Sequence, residues 1–220
     1  MYRRSLPKLI WYRLTQWVIG GFSRFYFRLR RRGHHNMPPT GPVVVLSNHQ
    51  SYLDPPMIGC FMPRPIAYLA RDTLFRGILG PLIRAYDSIP IDRDGSGLGG
   101  IRATLKRIKL GDAVLMFPEG TRTPDGRLQS LKPGFIALVR RGKASILPVG
   151  IAGSYEAWPR GRKLPAPKKI ALSYGEAIPP EAIAELDDDA LLELVALRIA
   201  TCFAEARQMA GYAKKDPAGE

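Results

Sequence analysis

From residue 42 onward, short apolar runs alternate with stretches of helical spacing. Val43-Val44-Val45-Leu46 is apolar without a break, the pattern of a strand buried on both faces, and it delivers Ser47, Asn48 and His49 at its carboxyl end. Pro55-Pro56 suits a helix start, with Asp54 as the N-cap. Ile66-Ala67-Tyr68-Leu69 predicts a second strand, and residues 74–86 a helix interrupted by Gly80-Pro81. Ser88-Ile89-Pro90-Ile91 predicts a third strand, whose proline places it at a sheet edge. After a loop over 95–100, residues 101–110 form an amphipathic pattern that ends at Gly111. Ala113-Val114-Leu115-Met116-Phe117 is the clearest buried strand. A helix over 135–141 stopped by Gly142, strands over 146–151 and 169–174, and an acidic, Leu- and Ala-rich helical region over 180–211, in one or two helices, complete the pass. Alternation of this kind predicts an α/β fold: a mixed, mostly parallel sheet flanked by helices, with polar motifs at the strand ends where such sheets place their sites.

The first 36 residues differ. Ile10, Leu14, Trp17, Val18, Phe22, Phe25 and Leu29 recur at helical spacing, with Trp11 and Tyr26 beside them. Arg13, Gln16, Arg24, Arg28 and Arg31 fall on the opposite side, and Gly20-Gly21 predicts a kink or a break into two helices. A spanning helix needs about 20 predominantly apolar residues, and Arg13 and Arg24 interrupt every such window. The pattern therefore predicts an amphipathic segment lying in the headgroup plane, with aromatic rings dipped in and arginines on phosphates. A helix packed on the protein's own core and an arginine-rich targeting peptide are the alternatives. The division expected is a membrane-association segment over 1–36 and an α/β domain over 37–212.

Charge sharpens this picture. The formal net charge of the 220 residues is +14, and residues 1–53 hold nine Lys or Arg with no Asp or Glu. A basic arm on a nearly balanced body needs an anionic neighbour. Nucleic acid would explain the charge but not so many tryptophans and phenylalanines at core spacing, so a membrane surface is expected and nucleic acid is not. Cys60 and Cys202, the two cysteines, both lie in apolar surroundings and read as small core residues without a disulfide framework.

Two stretches carry candidate chemistry. In Asn48-His49-Gln50-Ser51-Tyr52-Leu53-Asp54, histidine and aspartate stand five apart. On one continuous helix they would point about 140° apart, so they meet only if the turn from strand to helix folds the carboxylate back onto the ring. Asp54 would then hold one ring nitrogen of His49 and leave the other free to take a proton. In Phe117-Pro118-Glu119-Gly120-Thr121-Arg122-Thr123, Gly120 lets backbone approach a ligand, Thr121 offers a hydroxyl and Arg122 a two-pronged grip on phosphate. Arg93 ends another strand and could converge with Arg122. The structural alternatives are a surface ion pair at Asp92-Arg93 and a plain turn at Thr123-Pro124-Asp125-Gly126. No Gly-x-Ser-x-Gly elbow, His-Glu-x-x-His or Cys-x-x-Cys occurs, so neither an enzyme nucleophile nor a metal is expected, and no cofactor. Direct attack by an activated substrate hydroxyl remains.

These residues together resemble the glycerophospholipid acyltransferase family, the 1-acylglycerol-3-phosphate acyltransferases in particular. That family carries four ordered blocks, which stand here as Asn48-His49 with Asp54, Ile89-Pro90-Ile91-Asp92-Arg93, Phe117-Pro118-Glu119-Gly120-Thr121-Arg122 and Ile146-Leu147-Pro148-Val149-Gly150-Ile151. The resemblance covers about residues 40–155, and the amphipathic segment ahead of it is similar to the two-helix membrane segment of bacterial members. It implies that His49 is the general base on the acceptor hydroxyl, with Asp54 as its partner. It further implies that Glu119, Gly120 and Arg122, with Arg93, bind the acceptor phosphate, while Pro148 shapes the site. Arg71 stands where the family often has a lysine, and Ser88 where a small residue is common. The function implied is transfer of a fatty acyl chain from acyl-CoA or acyl carrier protein to 1-acyl-sn-glycerol 3-phosphate, forming phosphatidic acid in phospholipid biosynthesis. The enzyme would sit peripherally or monotopically on the cytoplasmic face of a membrane, with membrane lipids and a lysophospholipid acceptor as partners. Another lyso-lipid acceptor, or a catalytically silent lipid-surface binding protein, is the alternative.

Overall fold

The computed structural model describes residues 5–75, 80, 83, 86, 88–91 and 98–212. Among these residues seven strands form one sheet: β1 (Arg30–Arg32), β2 (Val43–Ser47), β3 (Ile66–Arg71), β4 (Ile89–Ile91), β5 (Ala113–Met116), β6 (Ser145–Ala152) and β7 (Ala171–Tyr174). Their order is β1-β7-β6-β2-β5-β3-β4, and every neighbouring pair is parallel except β6 with β7. The mixed, mostly parallel sheet flanked by helices is the expected class. Pro90 falls in β4 at the edge of the sheet, the position a proline predicts. The other edge, β1, is three exposed arginines, which keeps it from pairing with a further strand.

The helices are α1 (Leu6–Tyr26), α2 (Asp54–Gly59), α3 (Leu98–Lys109), α4 (Gly134–Gly142), α5 (Ser154–Ala157), α6 (Pro180–Glu185) and α7 (Asp188–Ala210). Alternate residues of β2 face opposite layers. Val43 and Val45 pack with Phe27, Met57 and Ile58, whereas Val44 and Leu46 pack with Ile108, Phe135, Val139 and Val195. That two-sided burial is why the strand is apolar throughout. Gly150 of β6 lets α7 lie directly on the sheet, since a Cβ there would fall 2.2 Å from the Cys202 carbonyl carbon and the Phe203 nitrogen.

Several local expectations are corrected. Gly20-Gly21 does not break the first helix, which runs as one piece because Gly20 is packed against the Phe61 ring. The helix also stops at Tyr26, short of Leu29: Arg28 turns to a positive φ of 48° and the chain enters β1. Gly142 closes α4 from within, and Lys143 supplies the left-handed cap at φ 47°. Most of the helix expected over 74–86, the loop residues 95–97 and the Asp92-Arg93 pair lie outside the described residues.

α1 lies on the body with an unusual face inward. Its buried residues are Tyr12, Gln16, Gly20 and Ser23. The Gln16 amide donates to the carbonyls of Gly59 and Met62, and Arg13 to that of Pro63. The apolar stripe points away: Ile10, Leu14, Val18 and Phe22 are exposed, Trp17 is 83% exposed and Phe25 85%. Packing on the protein's own core thus does not account for that stripe. Among the described residues no helix is long and apolar enough to cross a membrane.

The close approach of β6 and α7 gives a direct test. Gly150→Ala pushes a methyl into helix backbone, which cannot rotate away, and overpacking of this kind costs about 1–3 kcal/mol. Thermal denaturation should show a drop of several degrees in the Tm; an unchanged transition would mean that the helix does not sit where it is described.

Candidate active site

Three parallel strands side by side, β6, β2 and β5, deliver the site residues from their carboxyl ends. Beyond Ser47 the backbone leaves the ladder, but Asn48 continues it with its side chain. Its amide donates to the Ile151 carbonyl at 2.9 Å and accepts from the Ile151 N–H at 2.8 Å. The amide thus replaces a strand residue and fixes the start of the following turn.

That turn folds back as the five-residue spacing requires. Asp54 is wholly buried, and its Oδ2 lies 2.8 Å from His49 Nδ1. The same oxygen accepts the backbone N–H groups of Gln50 and Ser51 at 2.5 and 2.7 Å, and Oδ1 accepts the Ser154 hydroxyl at 2.6 Å. Asp54 is therefore not the N-cap of α2. It stands as the first helical residue after Leu53, and its carboxylate serves the preceding loop. A carboxylate held by so many donors accepts rather than donates, so Nδ1 carries the proton and Nε2 presents a lone pair. His49 stacks on Phe117 with ring centroids 3.9 Å apart and planes 14° from parallel, and its side chain keeps 14% exposure. The ring is fixed in plane yet reachable.

The second stretch is tied to the first. Thr123 N–H donates to the His49 carbonyl at 2.8 Å, and the Gln50 amide donates to the Gly126 carbonyl. Gly120 holds a φ of 74° in the tight turn closed by its N–H on the Phe117 carbonyl. Arg122 is half-buried with its guanidinium 3.7 Å above the Tyr52 ring. Thr121 is exposed, but its hydroxyl accepts a hydrogen bond from Arg160 at 2.6 Å. Residues 123–126 are a turn, with Thr123 Oγ1 donating to Asp125 and accepting the Gly126 N–H. Arg93 lies outside the described residues, and Arg71 ends β3 in register with Ile91.

Glu119 stands beneath this loop rather than on its rim. It is 3% exposed, and neither carboxylate oxygen has a hydrogen-bond partner of good geometry. Burial pushes its carboxyl from the ordinary 4.5 up to about 8, aided by the charge of Asp54 and opposed by the nearby N–H groups of His49 and Gln129. The thiols offer no competing nucleophile, because burial pushes Cys60 up to about 12 and Cys202 up to about 11. Among the described residues no three His, Cys, Asp or Glu side chains gather as metal ligands.

Ser154, Gln50, Phe117 and Arg160 were missed as site residues by sequence reasoning. Ser154 lies 100 positions from Asp54, and a lone serine two residues after a buried strand carries no signal by itself. The neutral carboxyl of Glu119 makes a testable mark on stability. Between pH 4.5 and about 8 the folded chain keeps a proton that the unfolded chain has released, so this group weakens the fold as pH rises through that window. The Tm advantage of Glu119→Gln over the parent should grow from pH 5 to pH 8 and then level off. An advantage that stays constant with pH would show that the carboxyl is ionised throughout.

The family model described as Acyltransferase matches residues 28–152. A 1-acyl-sn-glycerol-3-phosphate acyltransferase of Pseudomonas aeruginosa is 32% identical over 193 residues, covering 82% of this chain and 72% of its own. The enzyme of that name from Bacillus subtilis is 29% identical over 145 residues, 65% of this chain and 70% of its own. The mouse alpha form is 29% identical over 81% of this chain, which spans 64% of the mouse protein. The crystal structure of the 1-acyl-sn-glycerophosphate (LPA) acyltransferase of Thermotoga maritima superposes with a TM-score of 0.79 at 25% identity, over 95% of this chain and 83% of that one. On this likeness of sequence and fold, with a buried aspartate turned onto a histidine at the heart of the matched region, the chain belongs to the acyltransferase family and is an enzyme of the class that holds the 1-acyl-sn-glycerol-3-phosphate acyltransferases.

Proposed function

We propose that this enzyme transfers a fatty acyl chain from a thioester, carried on coenzyme A or acyl carrier protein, to the free hydroxyl of 1-acyl-sn-glycerol 3-phosphate, giving phosphatidic acid. The observation that carries the reading is the His49–Asp54 contact of 2.8 Å beside the turn at Gly120 and Arg122. His49 Nε2 removes the proton from the acceptor hydroxyl as its oxygen attacks the thioester carbonyl. The tetrahedral intermediate then collapses, the carbon–sulfur bond breaks, and the imidazolium returns the proton to the departing thiolate. Ester and thiol are the products, and no enzyme nucleophile is used. Asp54 keeps the tautomer and supports the cationic ring, while Ser154 and the N–H groups of Gln50 and Ser51 hold the carboxylate in place.

Arg122 and the Gly120 backbone receive the acceptor's phosphate, with Thr121 beside them, and Arg71 and Arg93 are the further cations that the resemblance brings to it. Glu119, buried and without a hydrogen bond of good geometry among the described residues, acts as a positioning residue from below. Its place near the backbone N–H of His49 supports that reading.

The exposed face of α1 supports monotopic attachment to a membrane, with residues 1–36 as the attachment segment and 37–212 as the catalytic domain. Each aromatic side chain carries a large apolar area, and cations near an anionic leaflet add about 1 kcal/mol apiece. Arg13, Arg24 and Arg28 are exposed alongside the apolar stripe. A lyso-lipid dissolved in the leaflet then reaches the site without passing through water.

Two experiments follow from these readings. His49→Ala should lower acyl transfer to 1-acyl-sn-glycerol 3-phosphate by at least about 100-fold, the low end for loss of a general base, with vesicle binding kept. Retained turnover would overturn the base assignment. Parent enzyme inert with every lyso-lipid and thioester donor would favour a silent lipid-surface protein. Replacing both Trp17 and Phe25 by Glu should release the protein from anionic vesicles in a sedimentation assay, with the Tm unchanged because both side chains already face outward. Continued sedimentation would remove α1 as the anchor.

A further inference from the structure

Three cations gather around the turn at 120–122, and among the described residues no carboxylate lies against any of them. Arg122 rests on Tyr52. Lys132 lies along Gly120, its Nζ 3.1 Å from where a side chain of that residue would begin. Arg160 is exposed and donates through one nitrogen to the Thr121 hydroxyl and to the Arg122 carbonyl. Ion pairs elsewhere on the body, Arg107 with Asp112 and Arg140 with Asp188, show that arginines of this chain do find carboxylates where a structural clamp is needed. The cluster at 120–122 has none among the described residues, and its charge is available to a ligand.

Arg160 comes from the segment between α5 and β7. That segment is fixed at both ends: the Ser51 hydroxyl donates to the Trp158 carbonyl, and the Tyr26 hydroxyl at the end of α1 donates to the Pro165 carbonyl. Trp158 also lies beside Tyr52, with ring centroids 5.9 Å apart. The segment that carries Arg160 is thus anchored on one side to the loop around Ser51 and Tyr52 and on the other to the end of α1, and its guanidinium reaches Thr121 and Arg122.

We propose that Arg160 is a further guanidinium of the acceptor's phosphate site, beside Arg122, and determines the preference for a phosphomonoester headgroup. This rests on the acyl-transfer reading above. In the free enzyme its N–H groups are bonded to a neutral hydroxyl and a neutral carbonyl. A phosphate oxygen is a stronger, charged acceptor, so contact with the ligand is favoured over the resting bonds. Phosphomonoesters carry about −1.5 to −2 near neutral pH, whereas a phosphodiester carries a single charge. One arginine serves either ester. A second arginine adds most for the doubly charged headgroup, and its rigid fork gives it a geometry that lysine lacks.

The test uses full-length enzyme in mixed micelles. Arg160→Ala should raise the KM for 1-acyl-sn-glycerol 3-phosphate by about 10- to 100-fold, the range for a lost charge-assisted bond, with kcat and the donor's KM nearly unchanged. The KM for the corresponding 1-acyl-glycerophosphocholine should move far less, and Arg160→Lys should recover part of the loss. Equal losses for both headgroups, a rise in the donor's KM, or no change in either would overturn the proposal and leave Arg160 as a loop clamp. An arm independent of turnover is the binding of glycerol 3-phosphate, followed by isothermal titration to the parent, to His49→Ala and to Arg160→Ala. Binding weakened only in Arg160→Ala supports the assignment even if acyl transfer to this acceptor fails. Equal binding by all three sinks it, whatever the enzyme acylates.

Discussion

The arrangement depends on one buried carboxylate. Asp54 has no access to water, and it is held by two backbone N–H groups, a serine hydroxyl and the imidazole of His49. A charge in that position is costly unless its donors are all in place. Each donor therefore fixes a part of the fold: Gln50 and Ser51 the turn after β2, and Ser154 the segment after β6. Removing the carboxylate would leave several inward-facing donors without acceptors. The same group that orients the ring holds two parts of the chain, 100 residues apart, in register.

The sheet makes this possible. Parallel pairing of β2 with β5 and with β6 brings three strand ends to one edge, so that residues near 49, 120 and 154 meet. Asn48 extends the ladder by one step with its side chain, and Thr123 binds the carbonyl of His49. Stacking on Phe117 then fixes the plane of the imidazole. The ring is thereby constrained by the strand before it, the carboxylate after it and the aromatic side chain beside it.

Much of this was legible in the residues themselves. The unbroken apolar runs at 43–46 and 113–116 announce strands buried on both faces, and Pro90 its edge position. The five-residue spacing of His49 and Asp54 posed a geometric condition that the turn meets. Other features depend on contacts distant in sequence. The polar stripe of α1 is the one that packs, because Gln16 finds the open carbonyls at the end of α2, and a helical pattern alone cannot say which face a neighbour wants. Gly20-Gly21 continues the helix for the same reason, with Phe61 filling the space beside it. Glu119 reads as a ligand-binding residue in its motif, yet its carboxyl is buried, near the N–H groups of His49 and Gln129. Arg160, 38 residues beyond Arg122, belongs to no motif and is found only once the loops are folded.

The central claim is that Asp54 holds a proton on Nδ1 of His49 so that Nε2 stands open toward the acceptor hydroxyl. The most direct measurement is the 15N NMR spectrum of the His49 ring, labelled in full-length protein, with 1-acyl-sn-glycerol 3-phosphate bound at neutral pH. The account predicts a protonated Nδ1 in a hydrogen bond and an unprotonated Nε2, with the pattern lost in Asp54→Asn. A ring that carries its proton on Nε2, or one indifferent to the Asp54 change, would contradict it.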